Sequence, residues 1–159
     1  MEVHLGPGGK PTAATASALI AAPPARVWEV VRDVSRYQHN VPMIHESKRT
    51  GDRVNMALGF KVAVFSAKFA FHARVVEHEE RALEMSWISG EPRDVRIRFE
   101  LHPEVTGTGT GTLLQVALSF DLQSLGWLVK YFLRHHPEIQ FGVFPGSALA
   151  LLDAVRRAA

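Results

Sequence analysis

The feature that most constrains this chain is a two-residue alternation running from Ile44 to Leu122, interrupted at intervals by glycine or charged residues suited to hairpin turns. Successive side chains of a strand point to opposite faces, so such a pattern specifies a sheet with one apolar face and one wetted face. Val54, Met56, Leu58 and Phe60 alternate with Asn55, Ala57, Gly59 and Lys61 after a turn at Gly51-Asp52. Phe69, Phe71, Ala73 and Val75 oppose Lys68, His72 and Arg74, and Leu83, Met85 and Trp87 oppose Glu84 and Ser86. Val95, Ile97, Phe99 and Leu101, then Leu114, Val116, Leu118, Phe120 and Leu122, continue the pattern. An antiparallel meander follows.

Both flanks carry other periods. Ala14 to Ala21 suits a first strand, which Pro23 and Pro24 stop while favouring a helix start. Val27, Val30, Val31 and Val34 then recur at helical spacing, and Ser35 to Val41 suits a second short helix that Pro42 ends. Near the C-terminus, Phe141, Phe144, Ala148, Leu151 or Leu152, and Val155 share a helical face. Pro145-Gly146 inside that stretch predicts a kink or restart. Gly6, Pro7, Gly8, Gly9 and Pro11 disfavour regular structure, so residues 1–12 are expected to be a flexible arm and residues 13–159 one folded unit.

Composition narrows the chemistry. The 159 residues include no cysteine, which removes disulfides, thiolate nucleophiles and cysteine-ligated zinc. The net charge of +2 is scattered, and Arg74, Arg96 and Arg98 alternate with acidic neighbours as on a solvated sheet face, so nucleic acid is not the expected partner. The first residues lack the apolar run of a secretory signal and no stretch has the length of a membrane span, so a cytoplasmic location is expected. None of the eight histidines falls in a metal-ligand spacing, and no metal or cofactor is expected. GTGTGT at Gly107 to Thr112 joins two strands instead of preceding a helix, so it is expected to be a hairpin loop and not a phosphate cradle.

Geometry turns these elements into a functional expectation. Six or seven strands about 4.8 Å apart span about 30 Å, whereas one helix with its side chains covers about 10 to 12 Å. The sheet must curl around the long helix, and the enclosed space need not fill. A fully packed core is the competing outcome.

The order β, α, α, a run of β and a long α resembles the helix-grip superfamily of birch-pollen-allergen-like and START-related proteins. The polyketide cyclase/dehydrase and lipid transport family is the most similar, with its coenzyme Q-binding branch. The residues carrying the resemblance are IAAPPARVWEVVRDVSRY (Ile20 to Tyr37), Val41-Pro42, Gly59-Phe60-Lys61, Phe71 to Val75 and Arg98-Phe99. The resemblance implies an α+β helix-grip fold, a curved antiparallel sheet around the C-terminal helix, with an internal site for a hydrophobic lipid, quinone or polyketide-like molecule. It leaves open an aromatase/cyclase or dehydratase activity, and a ribosome- or protein-interaction role.

On this register Met56, Leu58, Phe69, Phe71, Met85, Trp87, Phe99, Gln140, Phe141 and Phe144 are the expected ligand-lining residues. No Asp, Glu, His, Lys or Arg is expected to face the concavity, which favours binding over proton-transfer chemistry. Tyr37 and His39 are the candidates for a catalytic role. The segment around Trp127, Tyr131 and Phe132, with Lys130 and Arg134, suits either a packed lid or a gate that touches a membrane transiently.

Overall fold

The computed structural model describes residues 1–62 and 64–159. Eight strands form one antiparallel sheet: β1 (Glu2–Leu5), β2 (Pro11–Ile20), β3 (Ile44–Thr50), β4 (Arg53–Val62), β5 (Phe65–His78), β6 (Ala82–Gly90), β7 (Arg93–Thr106) and β8 (Gly109–Asp121). Their order across the sheet is β1-β2-β8-β7-β6-β5-β4-β3. Helices α1 (Pro24–Arg32) and α2 (Tyr37–Asn40) follow β2, and α3 (Gly126–His135) and α4 (Glu138–Ala158) end the chain. The α+β architecture is as expected, with one strand more than the six or seven anticipated.

The additional strand lies in the segment expected to be an arm. Glu2 pairs with Thr15, Val3 with Ala14 and His4 with Ala13. The glycines that argued against regular structure make the turn instead: Gly8 and Gly9 adopt φ of 74° and 71°, which reverses the chain into β2. The GTGTGT run also divides differently, since only its first residues turn and Gly109–Thr112 already belongs to β8.

The inward set is the one the alternation specifies. Val54, Met56, Phe71, Leu83, Met85, Ile97, Phe99, Leu114 and Val116 are all buried in one continuous core with Val27, Trp28 and Val31 of α1. α4 packs chiefly over β2 and β8, toward one side of the sheet. It runs through Pro145 as one helix, without the expected restart. The carbonyl that loses its hydrogen bond is that of Phe141, a residue in contact with solvent, which lowers the cost of leaving it free. By length and composition α4 could cross a membrane, but Phe144, Ala148, Leu151 and Val155 seat it in the core.

The end of β6 is shaped by a register shift in its pairing with β5, between His72 and Ala73. Gly90 closes this irregularity at φ 93°, and a Cβ there would lie 2.3 Å from the Ala70 carbonyl oxygen. The Trp87 indole N–H donates to the Gly90 carbonyl at 3.1 Å, which fixes the ring beside the bulge. Gly90→Ala should therefore destabilise the fold by about 2 kcal/mol or more, from left-handed strain and backbone overlap together. Urea unfolding of the variant beside the parent protein measures it.

Candidate functional site

Two apolar voids lie on the concave side of the sheet. The inner one, about 40 Å³, is bounded by Met56, Leu58, Phe60, Phe71, Ile97 and Phe120 from the sheet and by Ser147 and Leu151 of α4. The outer one, about 90 Å³, lies where α3 and the start of α4 close over Phe60, Ala67 and Phe69. Its α3 wall is Leu128, Val129, Phe132 and Leu133. Phe60 borders both, so one ring separates the two spaces. They arise because α4 favours the β2 and β8 side, leaving the β4 and β5 side to be covered by loops and by α3.

These spaces are smaller than the width argument alone suggests. Bulky side chains occupy most of the interior: the rings of Phe120 and Phe144 sit 4.6 Å apart, and Tyr37 meets Phe99 edge-on at 6.0 Å. Met56, Leu58 and Phe71 line the inner void, and Phe69 and Phe132 line the outer one. Met85, Phe99 and Phe144 are wholly buried but line neither. Trp87 is half-buried at the β6 bulge and also lines neither.

Two of the expected α4 residues fall elsewhere. Phe141 is 52% exposed, because on a helical wheel it lies about 180° from the midpoint of Ile139 and Val143, the side that α3 covers. Gln140 is buried, yet it borders an open surface depression beside Lys10, Thr12 and Asp121 and neither apolar void. α3 is two-sided: Trp127 is 78% exposed and Tyr131 55% exposed, opposite the face that lines the outer void.

The polar residues decide what chemistry the interior permits. Tyr37 is buried, and its hydroxyl donates to the Val31 carbonyl at 2.6 Å. Burial pushes this phenol far above the ordinary tyrosine range, with the Arg49 charge opposing. It is a neutral structural tether between the end of α1 and α2. His39 is exposed and its imidazole contacts Gln38 at 3.2 Å, outside both voids. Neither catalytic candidate reaches the apolar space.

Among the described residues, Ser147 is the only polar side chain on the inner void. It is buried and makes no side-chain hydrogen bond to any described residue. No Asp, Glu, His, Lys or Arg lines either void among the described residues, and no cluster there could hold a metal ion. Sequence reasoning missed Ser147, although it falls one turn after Phe144 on the buried stripe, and that position was the available signal.

A family model for polyketide cyclase/dehydrase and lipid transport proteins matches residues 20–137. Among solved structures, TTHA0849 from Thermus thermophilus superposes with a TM-score of 0.69 at 15% identity, covering 92% of this chain and 95% of that one. The Zhui aromatase/cyclase from a Streptomyces species gives a TM-score of 0.65 at 17% identity, covering 92% of each chain. A START superfamily protein from Mycobacterium smegmatis gives 0.59 at 21% identity, covering 93% of this chain and 99% of that one. No curated protein sequence matches. At these identities the structures are alike in fold, and the fold is the helix-grip one.

The tether role of Tyr37 has a pH signature. Its folded-state ionisation is raised, so its contribution to stability is complete below about pH 10 and falls as pH climbs further, by up to about 1.4 kcal/mol per pH unit. Tyr37→Phe should cost about 1 to 2 kcal/mol at neutral pH and remove that part of the alkaline slope. Denaturant unfolding at intervals from about pH 8 to 11 compares the two.

Proposed function

We propose that this chain, which belongs to the polyketide cyclase/dehydrase and lipid transport family, binds a hydrophobic small molecule between its sheet and α4. The observation that carries this reading is the pair of apolar voids divided by Phe60 and free of ionisable side chains among the described residues. The ligand class is a lipid, quinone or polyketide-like molecule, mostly carbon and carrying an oxygen function. Ser147 supplies the polar contact at the inner end.

The voids of about 40 and 90 Å³ are too small for a guest of drug size, whose pockets begin near about 300 Å³. Binding therefore requires the Phe60 ring to turn and α3 to move outward. α3 begins at Gly126, at φ 76°, a residue free to take up a change of backbone angle. An aromatase/cyclase activity, as in the Streptomyces relative, would need groups that transfer protons within hydrogen-bond reach of the substrate. Tyr37 is committed to Val31 and His39 faces water, so binding is the preferred function.

Native mass spectrometry of protein purified from its own cells should reveal a bound lipophile. Equilibrium dialysis with 2-methyl-1,4-naphthoquinone provides a defined probe: Leu58→Phe and Phe71→Trp, which fill the inner void, should weaken it at least tenfold without lowering the unfolding midpoint appreciably. Wild-type protein that carries no lipophile and takes up no probe would refute the reading. A finer expectation concerns Ser147→Ala, which should weaken the quinone about three- to tenfold and leave 2-methylnaphthalene, which has no oxygen, unaffected.

A further inference from the structure

α3 exposes a stripe that its role as a lid does not require. Trp127, Lys130, Tyr131 and Arg134 follow the i, i+3, i+4, i+7 spacing that places residues on one helical face, and all four are exposed. The opposite face, through Leu128, Val129, Phe132 and Leu133, is the wall of the outer void. One helix thus separates an apolar space from water and presents aromatic rings and cations to the outside.

The charges on α3 itself are all positive, and the first carboxylate after it, Glu138, pairs with His136. Residues 54–76 and 122–137, which supply β4, β5 and α3 at the outer void, contain no Asp or Glu. They carry five Lys and Arg residues, of which Arg74 pairs with Asp52 at the far end of the hairpin from the void. Lys61 and Lys68 are exposed on the hairpin that contributes Phe60 and Phe69 to the void, but on its opposite, convex face. None of Lys61, Lys68, Lys130 or Arg134 makes an ion pair with a described residue. Cations left unneutralised around exposed Trp and Tyr match the headgroup zone of an anionic bilayer, where indole and phenol rings settle and each basic residue adds electrostatic attraction.

We propose that the outer face of α3 docks on an anionic membrane surface and places the mouth of the outer void against the lipid. Insertion of Trp127 and Tyr131 would draw α3 away from Phe60 and Phe69, opening an apolar path between bilayer and interior. Only this loading step rests on the interior being a ligand site; the docking itself needs no ligand.

Co-sedimentation of the full chain with vesicles tests the docking. Binding to vesicles of equal phosphatidylglycerol and phosphatidylcholine should exceed binding to pure phosphatidylcholine at least tenfold and should fall as salt rises. Lys130→Glu with Arg134→Glu should abolish that preference, and Trp127→Ala should weaken binding severalfold. Lys48→Glu with Arg156→Glu, an equal change of charge on exposed positions elsewhere, should reduce binding far less. Equal binding to the two vesicle types, or indifference to the α3 reversals, overturns the proposal. So does light scattering that shows a dimer dissociated by Trp127→Ala, since a second copy of the chain would then be the occupant. Because vesicle binding is read without ligand, its failure leaves the dialysis result untouched, and the reverse holds as well.

Discussion

The structure depends on a mismatch of widths. An eight-stranded antiparallel sheet satisfies its backbone hydrogen bonds laterally, and its alternating sequence leaves a broad apolar face in need of cover. A single helix cannot span that face, so the sheet curves, α4 takes the β2 and β8 side, and α1, α2 and α3 close the remainder. Cover is thinnest near β4 and β5. Both voids open there, and there a single ring, Phe60, divides them.

The same interior explains the economy of its polar groups. Taking a charge out of water is costly unless it is paired, so ionisable side chains collect on the convex face, where Arg98 bridges Glu84 and Glu100. Arg98 holds the Glu100 carboxyl below the usual carboxylate range. Inside, each buried hydroxyl but one among the described residues is committed: Tyr37 to Val31, Ser47 to Val34 at 2.7 Å and Thr112 to Ala22 at 2.8 Å. These bonds tie the helical segments and loops to one another and to the sheet. Ser147 is the exception: its hydroxyl makes no hydrogen bond to a described residue, and since no fully enclosed side-chain oxygen among them lacks a partner, that hydroxyl is not sealed off.

Much of the fold was legible because strand alternation is a local property. Val54, Met56, Leu58, Phe60, Phe69 and Phe71, and Val95 through Leu101, point as their spacing requires whatever lies opposite them. The N-terminal glycines misled because the same residues that break regular structure also make tight turns, and only pairing with β2 distinguishes the two. On α4, spacing placed Phe141 beside Phe144, but which turns are covered depends on where α3 lies. The candidate site was partly legible for a related reason. Met56, Leu58, Phe69 and Phe71 do line voids, whereas Met85, Phe99 and Phe144 face inward just as well and meet neighbours instead of space.

Sequence by itself determined which side of each strand is apolar, that a helical segment had to cover the sheet, and that the apolar positions of the alternating strands carry no Asp, Glu, His, Lys or Arg. Those are consequences of residue type and period, and they hold before any two elements meet. Tertiary structure alone decided where the interior stays unfilled, which residues border that space, and that Tyr37 spends its hydroxyl on Val31. The reason is that a void is a property of several surfaces brought together: its size depends on how closely distant side chains interlock, and no local pattern along the chain records that.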